Sequence, residues 1–502
     1  MGIKISELPL NTLPYSGGER LPLVQSGETR AGALSSLVNY LSGALLADSE
    51  LAALSGNFAL KNANNFFSTT QTIVGDLSST GKITVGTRHV NTGIGASVLG
   101  LSSVASGRAS TAFGEGVSAT GINSVALGNN NLASGCYSTV GGGLCNVACG
   151  VQATVVGGNQ NTASGSGSFV GSGEANTASG YFSTIVGGFS SRASGCFSTI
   201  GGGRSNTACG CYSTVAGGFS SRASGVGSFA VGLSSVASGR ASVALGEGNR
   251  ASGCFSNVAG GRGNTASGYY SIVAGGRGNT ASGYYSIVAG GYLNTASGLY
   301  SNVVGGLSST ASGDYSTVGG GLCNVACGNA TTVAGGQCNV ARCNNSTVSG
   351  GCKNTASGTC STVGGGIGNS ATGVTSFIGG GCYNYTEGPA STTSGGYFNC
   401  SCGSGSTVSG GYQNAAIGGQ TTVSGGYRNT ACNYSAIGGG CCNRSFGNTS
   451  TIAGGFCNTA CGLYSTVGGG FCNTADAINS TIAGGSCNQA YGVSFSTIGG
   501  GF

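Results

Sequence analysis

The chain has 502 residues, of which 104 are Gly, 4 are Pro and none is Trp, and only 6% are charged, against roughly 25% in an average soluble domain. The net charge of +6 is small for this length and unclustered, which argues against a nucleic-acid-binding stripe; no run of about 18 apolar residues marks a membrane insertion, and Gly without a three-residue period excludes collagen. One His (His89) and 12 acidic residues leave few groups for general acid–base work, so no enzyme activity is expected.

In chain order, residues 1–47 come first. The opening Met1-Gly-Ile-Lys-Ile-Ser6 lacks the apolar stretch of a secretory signal. Leu34, Leu37, Val38 and Leu41 recur at helical spacing and predict a short helix. Residues 48–92 read as a β-rich connector, with Gly56-Asn-Phe-Ala-Leu-Lys61, Thr70-Gln-Thr-Ile73 and Gly75-Asp-Leu-Ser-Ser-Thr-Gly-Lys-Ile-Thr84. Together with Ile5-Ser-Glu-Leu-Pro9, Gly18-Glu-Arg-Leu-Pro-Leu-Val-Gln25 and Gly27-Glu-Thr-Arg30, these segments resemble the start of bacteriophage tail-fibre and virion structural proteins. The resemblance implies an attachment segment that binds the phage baseplate, tail or another virion protein. A virion fibre made in the host bacterial cytoplasm needs no signal peptide, which agrees with the opening residues.

Residues 93–502 are repetitive, which decides the fold class. The Gly closing Asn-Thr-Ala-Ser-Gly, or a variant of it, recurs every 14 residues at Gly93, Gly107, Gly121 and Gly135, then every 15 through Gly150 to Gly225. Two 14-residue steps reach Gly239 and Gly253, and the 15-residue step resumes at Gly268. Cys343, Asn433 and Ala477 take the Gly slot, one more 14-residue step ends at Gly447, and the last marker is Gly492. Each coil predicts two short strands and two turns. Ser271-Ile-Val-Ala274, for example, is β-branched and bounded by glycines, and the Gly-Gly pair and marker Gly supply backbone shapes that a Cβ would forbid. Such coils cannot bury a face singly but can when stacked. The fold expected is an all-β parallel β-solenoid of 28 coils, roughly 130 Å long at about 4.8 Å per coil.

The 14-residue coils Ala109-Ser-Thr-Ala-Phe-Gly114, Asn123-Ser-Val-Ala-Leu-Gly128 and Ala241-Ser-Val-Ala-Leu-Gly246 resemble the head repeats of trimeric autotransporter adhesins. The resemblance implies a left-handed β-roll in a homotrimer, with the extra residue of the longer coils enlarging one turn. Neither that family's signal peptide nor its membrane anchor is expected, since the opening residues lack an apolar stretch and the residues up to Phe502 read as part of a coil. The last coil lacks a polar cap, so a tip protein or another chain is expected to cover its open edge.

Residues at equal offsets should stack into ladders. Cys442, Cys457, Cys472 and Cys487 occupy four successive coils, Cys323 and Cys338 two. Small apolar fillers or stacked thiols, rung-to-rung disulfides and metal binding are the readings, the last disfavoured because no second Cys pair or His completes a site. Tyr270, Tyr285 and Tyr300 belong to one aromatic row, read as a spine packed between chains. Tyr397, Tyr412 and Tyr427 form another, which is either a spine or a platform for host surface polysaccharide. Asn264, Asn279 and Asn294 are expected to bond amide to amide. No metal or cofactor is expected, and Glu115, Asp314, Glu387 and Asp476 are too scattered to make the paired carboxylates of a glycan-cleaving site. The function expected is a structural fibre of a phage tail or virion, a spacer and host-surface adhesin. A soluble binding solenoid of ice-binding or matrix type is the alternative, weakened because the Thr ladder (Thr265, Thr280, Thr295) offers one Thr per coil.

Overall fold

The structure, a computed structural model, describes residues 83–502; the attachment segment with its expected helix, and the connector up to residue 82, lie outside the described residues. The described part is an all-β parallel solenoid, with no helix. Strands alternate between two sheets. Ile83–Thr87 (β1) pairs with Ser97–Leu101 (β3), and Val90–Asn91 (β2) pairs with Val104–Ala105 (β4). The alternation runs without interruption to Thr497–Ile498, giving ladders of 29 and 28 strands. At about 4.8 Å per rung the solenoid is a rod of roughly 130 Å.

Residues 268–282 show why the sequence takes this shape. Ile272–Val273 and Thr280–Ala281 are its two strands. The inward members, Val273 and Ala281, have no exposure. Val273 stacks between Val258 and Val288, and Ala281 between Ala266 and Ala296. A β-branched column therefore faces an alanine column, the pairing a two-layer interior this thin can hold without voids. The apolar core is continuous from Ala96 to Ile378 and resumes at Val408. In between, Thr386, Thr393 and Ser401 hold the inward positions, and the Thr393 and Ser401 hydroxyls satisfy each other at 2.9 Å.

Where a 15-residue coil meets a 14-residue one at Thr214–Phe219, the extra residue forms a β-bulge at the entry to a turn, in agreement with the enlarged turn expected. Val215 faces Ala230 and Gly217 faces Val231, so Ala216 is looped out. The 14-residue coils keep five paired residues in that strand, as in Val243–Glu247 against Phe229–Leu233. Beyond the bulge, longer coils keep a single bridge, such as Arg262 to Arg277 and Arg277 to Tyr292.

Two marker assignments need correction. Four residues separate Thr430–Ala431 from Ala436–Ile437, where five separate Ala415–Ala416 from Thr422–Val423. The Gly position is thus deleted in that coil, and Asn433 occupies the next one, left-handed at φ 54° beside Tyr434 at 59°. In the last coil Ser496 Oγ donates to the Val493 carbonyl at 2.9 Å, as Ser271 Oγ donates to Gly268 at 2.7 Å. Val493 therefore fills the slot and Gly492 is an inserted residue.

The glycines also divide their work differently from expectation. At Gly268 the backbone is not left-handed, but an added Cβ would fall on the carbonyl oxygen of Gly283 in the next coil. Close approach of coils, rather than φ, selects glycine there. The second Gly of the pair is left-handed as expected, Gly276 at φ 83° for example, but a further left-handed position in each coil is held by other residues, including Tyr270 at φ 54° and Cys457 at 56°. Their conformation reverses the peptide. Whereas Ile272 N–H donates forward to Ser286, Tyr270 N–H donates back to Cys254 at 3.0 Å. Each corner so bonds to both neighbouring coils, offsetting the roughly 1–2 kcal/mol that left-handed backbone costs a side-chain-bearing residue.

Candidate functional site

The surface of the solenoid is a set of parallel columns, one residue wide and one rung apart. Strands of two residues leave one outward position each, so every sheet face carries a single column, such as Thr265, Thr280 and Thr295. The wider surfaces are the corners, where two outward columns stand side by side.

On one corner Phe255, Tyr270, Tyr285, Tyr300 and Tyr315 stack with ring centroids 4.8 to 5.3 Å apart and planes within 13°. Tyr269 and Tyr284 form a second file beside them, 4.9 Å apart. All these rings are exposed or half-buried on the single chain. Their faces cover one another, so the file presents edges and hydroxyls outward. The phenols of Tyr269 and Tyr285 are raised above their ordinary 10.0, first by loss of hydration among the packed rings and then by the negative charge neighbouring phenols would carry. An acid whose folded pKa is raised favours its neutral form in the fold. The unfolded chain therefore ionises first, and stability is expected to fall as pH rises from about 10 through the folded values. Absorbance titration of the phenolate band should show part of the tyrosine ionising late, and the thermal midpoint should drop over the same interval.

On the opposite corner Tyr397, Tyr412 and Tyr427 stack at 5.4 and 5.2 Å, with planes 19° and 7° apart. The row expected from the sequence exists. Stacking of a sugar on a ring needs a free face, and here the faces are turned to each other; the edges and hydroxyls are what the row offers a polysaccharide. The same column holds Phe456 and Phe471, 5.3 Å apart. From Tyr292 to Phe471 it carries no charged residue, its members being aromatic, aliphatic or Cys except for Gln337. Toward the N-terminus it carries charge instead. Arg204 lies between Phe189 and Phe219, 5.3 and 5.7 Å from their centroids, and Arg262 pairs with Glu247 at 3.3 Å. Phe189, Arg204 and Phe219 stand 15 residues apart in the sequence, the equal offset that marks this sandwich.

The thiols do not act as core filler. Every free cysteine among the described residues is exposed or half-buried. Cys442, Cys457, Cys472 and Cys487 stand in one corner column, all left-handed, and Cys441 Sγ lies 3.3 Å from Cys442 Sγ. Cys400 and Cys402 are joined by a disulfide. No cluster of three or more potential metal ligands occurs among the described residues.

The asparagines are buried and bond mainly to backbone, not amide to amide as expected. Asn279 Nδ2 donates to the carbonyls of Gly275 and of Gly291, each at 2.9 Å, and its Oδ1 accepts the Asn294 N–H at 2.9 Å. Asn264 and Asn294 repeat the pattern. Amide-to-amide bonds occur at Asn473 and Asn488. The acidic residues stand apart, with Glu115, Glu387 and Asp476 exposed at corners and Asp314 accepting the Leu299 N–H at 2.9 Å.

Among the described residues no helix is long and apolar enough to cross a membrane. One family model matches, that of the ubiquitous surface protein adhesin repeat, over residues 213–225; no curated protein matches. The matched stretch runs from the strand that carries the looped-out Ala216 to the marker Gly225, so the chain carries an adhesin-like repeat within its parallel β-solenoid.

Proposed function

We propose that the chain is the shaft of a homotrimeric fibre on a bacteriophage tail or virion, attached through residues 1–47 and serving as spacer and host-surface adhesin. The observation that carries this reading is the unbroken register from Ile83 to Ile498, which makes a rod whose length is its main property. The adhesin-repeat match supports contact with a surface, and the N-terminal resemblance to tail-fibre proteins supports the virion. Weak contacts repeated along such a rod add through high effective concentration. The column from Tyr292 to Phe471, itself uncharged although Lys353 and Arg428 stand beside it on the same corner, supports lateral packing of copies, because a row with one residue per rung is matched in period by another copy in register. We read the fibre as non-enzymatic, since the carboxylates among the described residues stand singly on separate coils.

Gold-labelled antibodies to residues 93–502, applied to purified particles and to cells of the source culture, test the assignment. Label on particle projections is expected, with a light-scattering mass near three chains for the purified protein. Label confined to cell envelopes would move the fibre to a bacterial surface, and a single-chain mass would remove the trimer.

A further inference from the structure

The pattern of thiols on the corners has a property that composition does not require. Cysteines recur at the same offset in adjacent coils at Cys196 and Cys211, at Cys323 and Cys338, and through Cys442, Cys457, Cys472 and Cys487. Residues so placed have Cα atoms about one strand spacing apart, ~4.8 Å, inside the roughly 4.4–6.8 Å window of disulfides. In the longest column each cysteine directly follows a residue bridged to the next rung, Cys441 to Phe456, Phe456 to Phe471 and Phe471 to Ser486, so Cys442, Cys457, Cys472 and Cys487 stand one rung apart. The column is half-buried except at its exposed end, Cys487, which leaves it open to a small reagent.

We propose that these columns are sites of oxidative cross-linking, at which a small-molecule disulfide joins adjacent coils through Cys442–Cys457 and Cys472–Cys487. A cysteine thiolate attacks one sulfur of the reagent, forming a mixed disulfide and expelling one small thiol. The thiolate one coil away attacks the protein sulfur of that mixed disulfide and expels the second. Two cysteine thiols are oxidised, one reagent disulfide is reduced to two thiols, and the protein loses two hydrogens per bond. Pairing from the ends uses all four thiols, whereas Cys457–Cys472 strands two. Cys441, although close to Cys442, is a poor competitor, because a bond between neighbours in sequence closes a ring across their shared peptide and works against its planar trans form. Burial, and then Cys442 and Cys472, hold the Cys457 thiol above its ordinary 9.0, so that thiol favours its neutral form until an oxidant arrives. The result would be a fibre whose coils are riveted along one edge.

The test uses the full chain, folded, incubated with oxidised glutathione, then alkylated, unfolded and digested with chymotrypsin. Cleavage at Tyr434, Phe446, Phe456, Leu463, Phe471 and Tyr491 places Cys442, Cys457 and the Cys472–Cys487 pair in three different peptides. A covalent link between peptides 435–446 and 457–463 is expected, with peptide 472–491 lighter by two hydrogens and unalkylated. Cys145 and Cys360, which have no cysteine in the adjacent coils of their columns, should remain alkylated or carry glutathione. Cys457→Ser should abolish the first link and keep the second. Glutathione adducts without coil-to-coil links, a bond between Cys441 and Cys442 in place of the link, or links that form only after unfolding would each overturn the proposal.

Discussion

Gly276→Ala is expected to open the solenoid locally, whereas Gly275→Ala, one residue earlier, is expected to do almost nothing. Gly276 has φ 83°, and a Cβ there would fall on the carbonyl oxygen of Gly291. That oxygen already accepts the Arg277 N–H at 2.9 Å and an Asn279 Nδ2 hydrogen. The substitution therefore combines left-handed strain of about 1–2 kcal/mol with overpacking of about 1–3 kcal/mol. At Gly275 the backbone is outside the left-handed region and an added Cβ has no atom within 4 Å. The smaller freedom of the unfolded chain then makes Gly275→Ala neutral or stabilising by up to about 1 kcal/mol. The chain itself carries the comparison: Ser172 stands at the position of Gly275 in its own coil, while Gly173, Gly261, Gly291 and Gly306 all keep glycine at the position of Gly276. Because stacked repeats open locally, the measurement is amide exchange at Arg277 and Tyr292, not a global midpoint. Equal exchange in the two variants would remove the close-approach argument.

That comparison also shows what could be read from the chain in advance. The coil period, the two strands and the enlarged turn were legible because they repeat, and repetition exposes any residue type that a position demands. Val273 and Ala281 could be recognised as core by their recurrence. The backbone at Tyr270 and Cys457 could not. Left-handed φ is ordinarily assigned to glycine, and only the backward bond of Tyr270 N–H to Cys254 explains why a tyrosine accepts it. The deletion before Asn433 and the insertion at Gly492 were hidden for a related reason: counting markers assigns each length change to the nearest marker, whereas strand pairing places it in a corner. The aromatic rows were predictable as columns, but ring orientation was not, and orientation decides whether Tyr412 offers a face or an edge. Of the readings open for the cysteines, core filler fails because their offsets differ from those of the inward alanine and valine columns, while stacked thiols remain.

The asparagine column should be the second site of large loss. Asn279→Ala would leave the carbonyl of Gly275 and the N–H of Asn294 without a partner at the inner edge of a corner, and would take from the Gly291 carbonyl one of its two donors, the other being the Arg277 N–H. Unmade bonds of this kind cost about 1–3 kcal/mol per buried group, so a local loss of about 3–5 kcal/mol is expected after part of the carbonyl cost is recovered by water. Asn279→Ser should be milder, because Ser221, at the same position of another coil, reaches the carbonyl of Gly232 at 2.8 Å. Asn279→Asp separates the two roles of the amide. It keeps an acceptor for Asn294 N–H but turns a carboxylate toward two carbonyl oxygens, which raises its folded pKa above the unfolded value near 3.9. A raised carboxyl pKa means that the protonated form, able to donate, is the one the fold prefers. The Asp variant should therefore come closest to the parent at low pH and lose stability as pH rises through about 4 and beyond, the reverse of an ion-paired carboxylate. Exchange of the Asn294 amide against pH, in the parent and the three variants, reads this directly. An Asp variant that is more protected at pH 7 than at pH 3 would show that the donors of Asn279 are dispensable and that its acceptor alone holds the coils together.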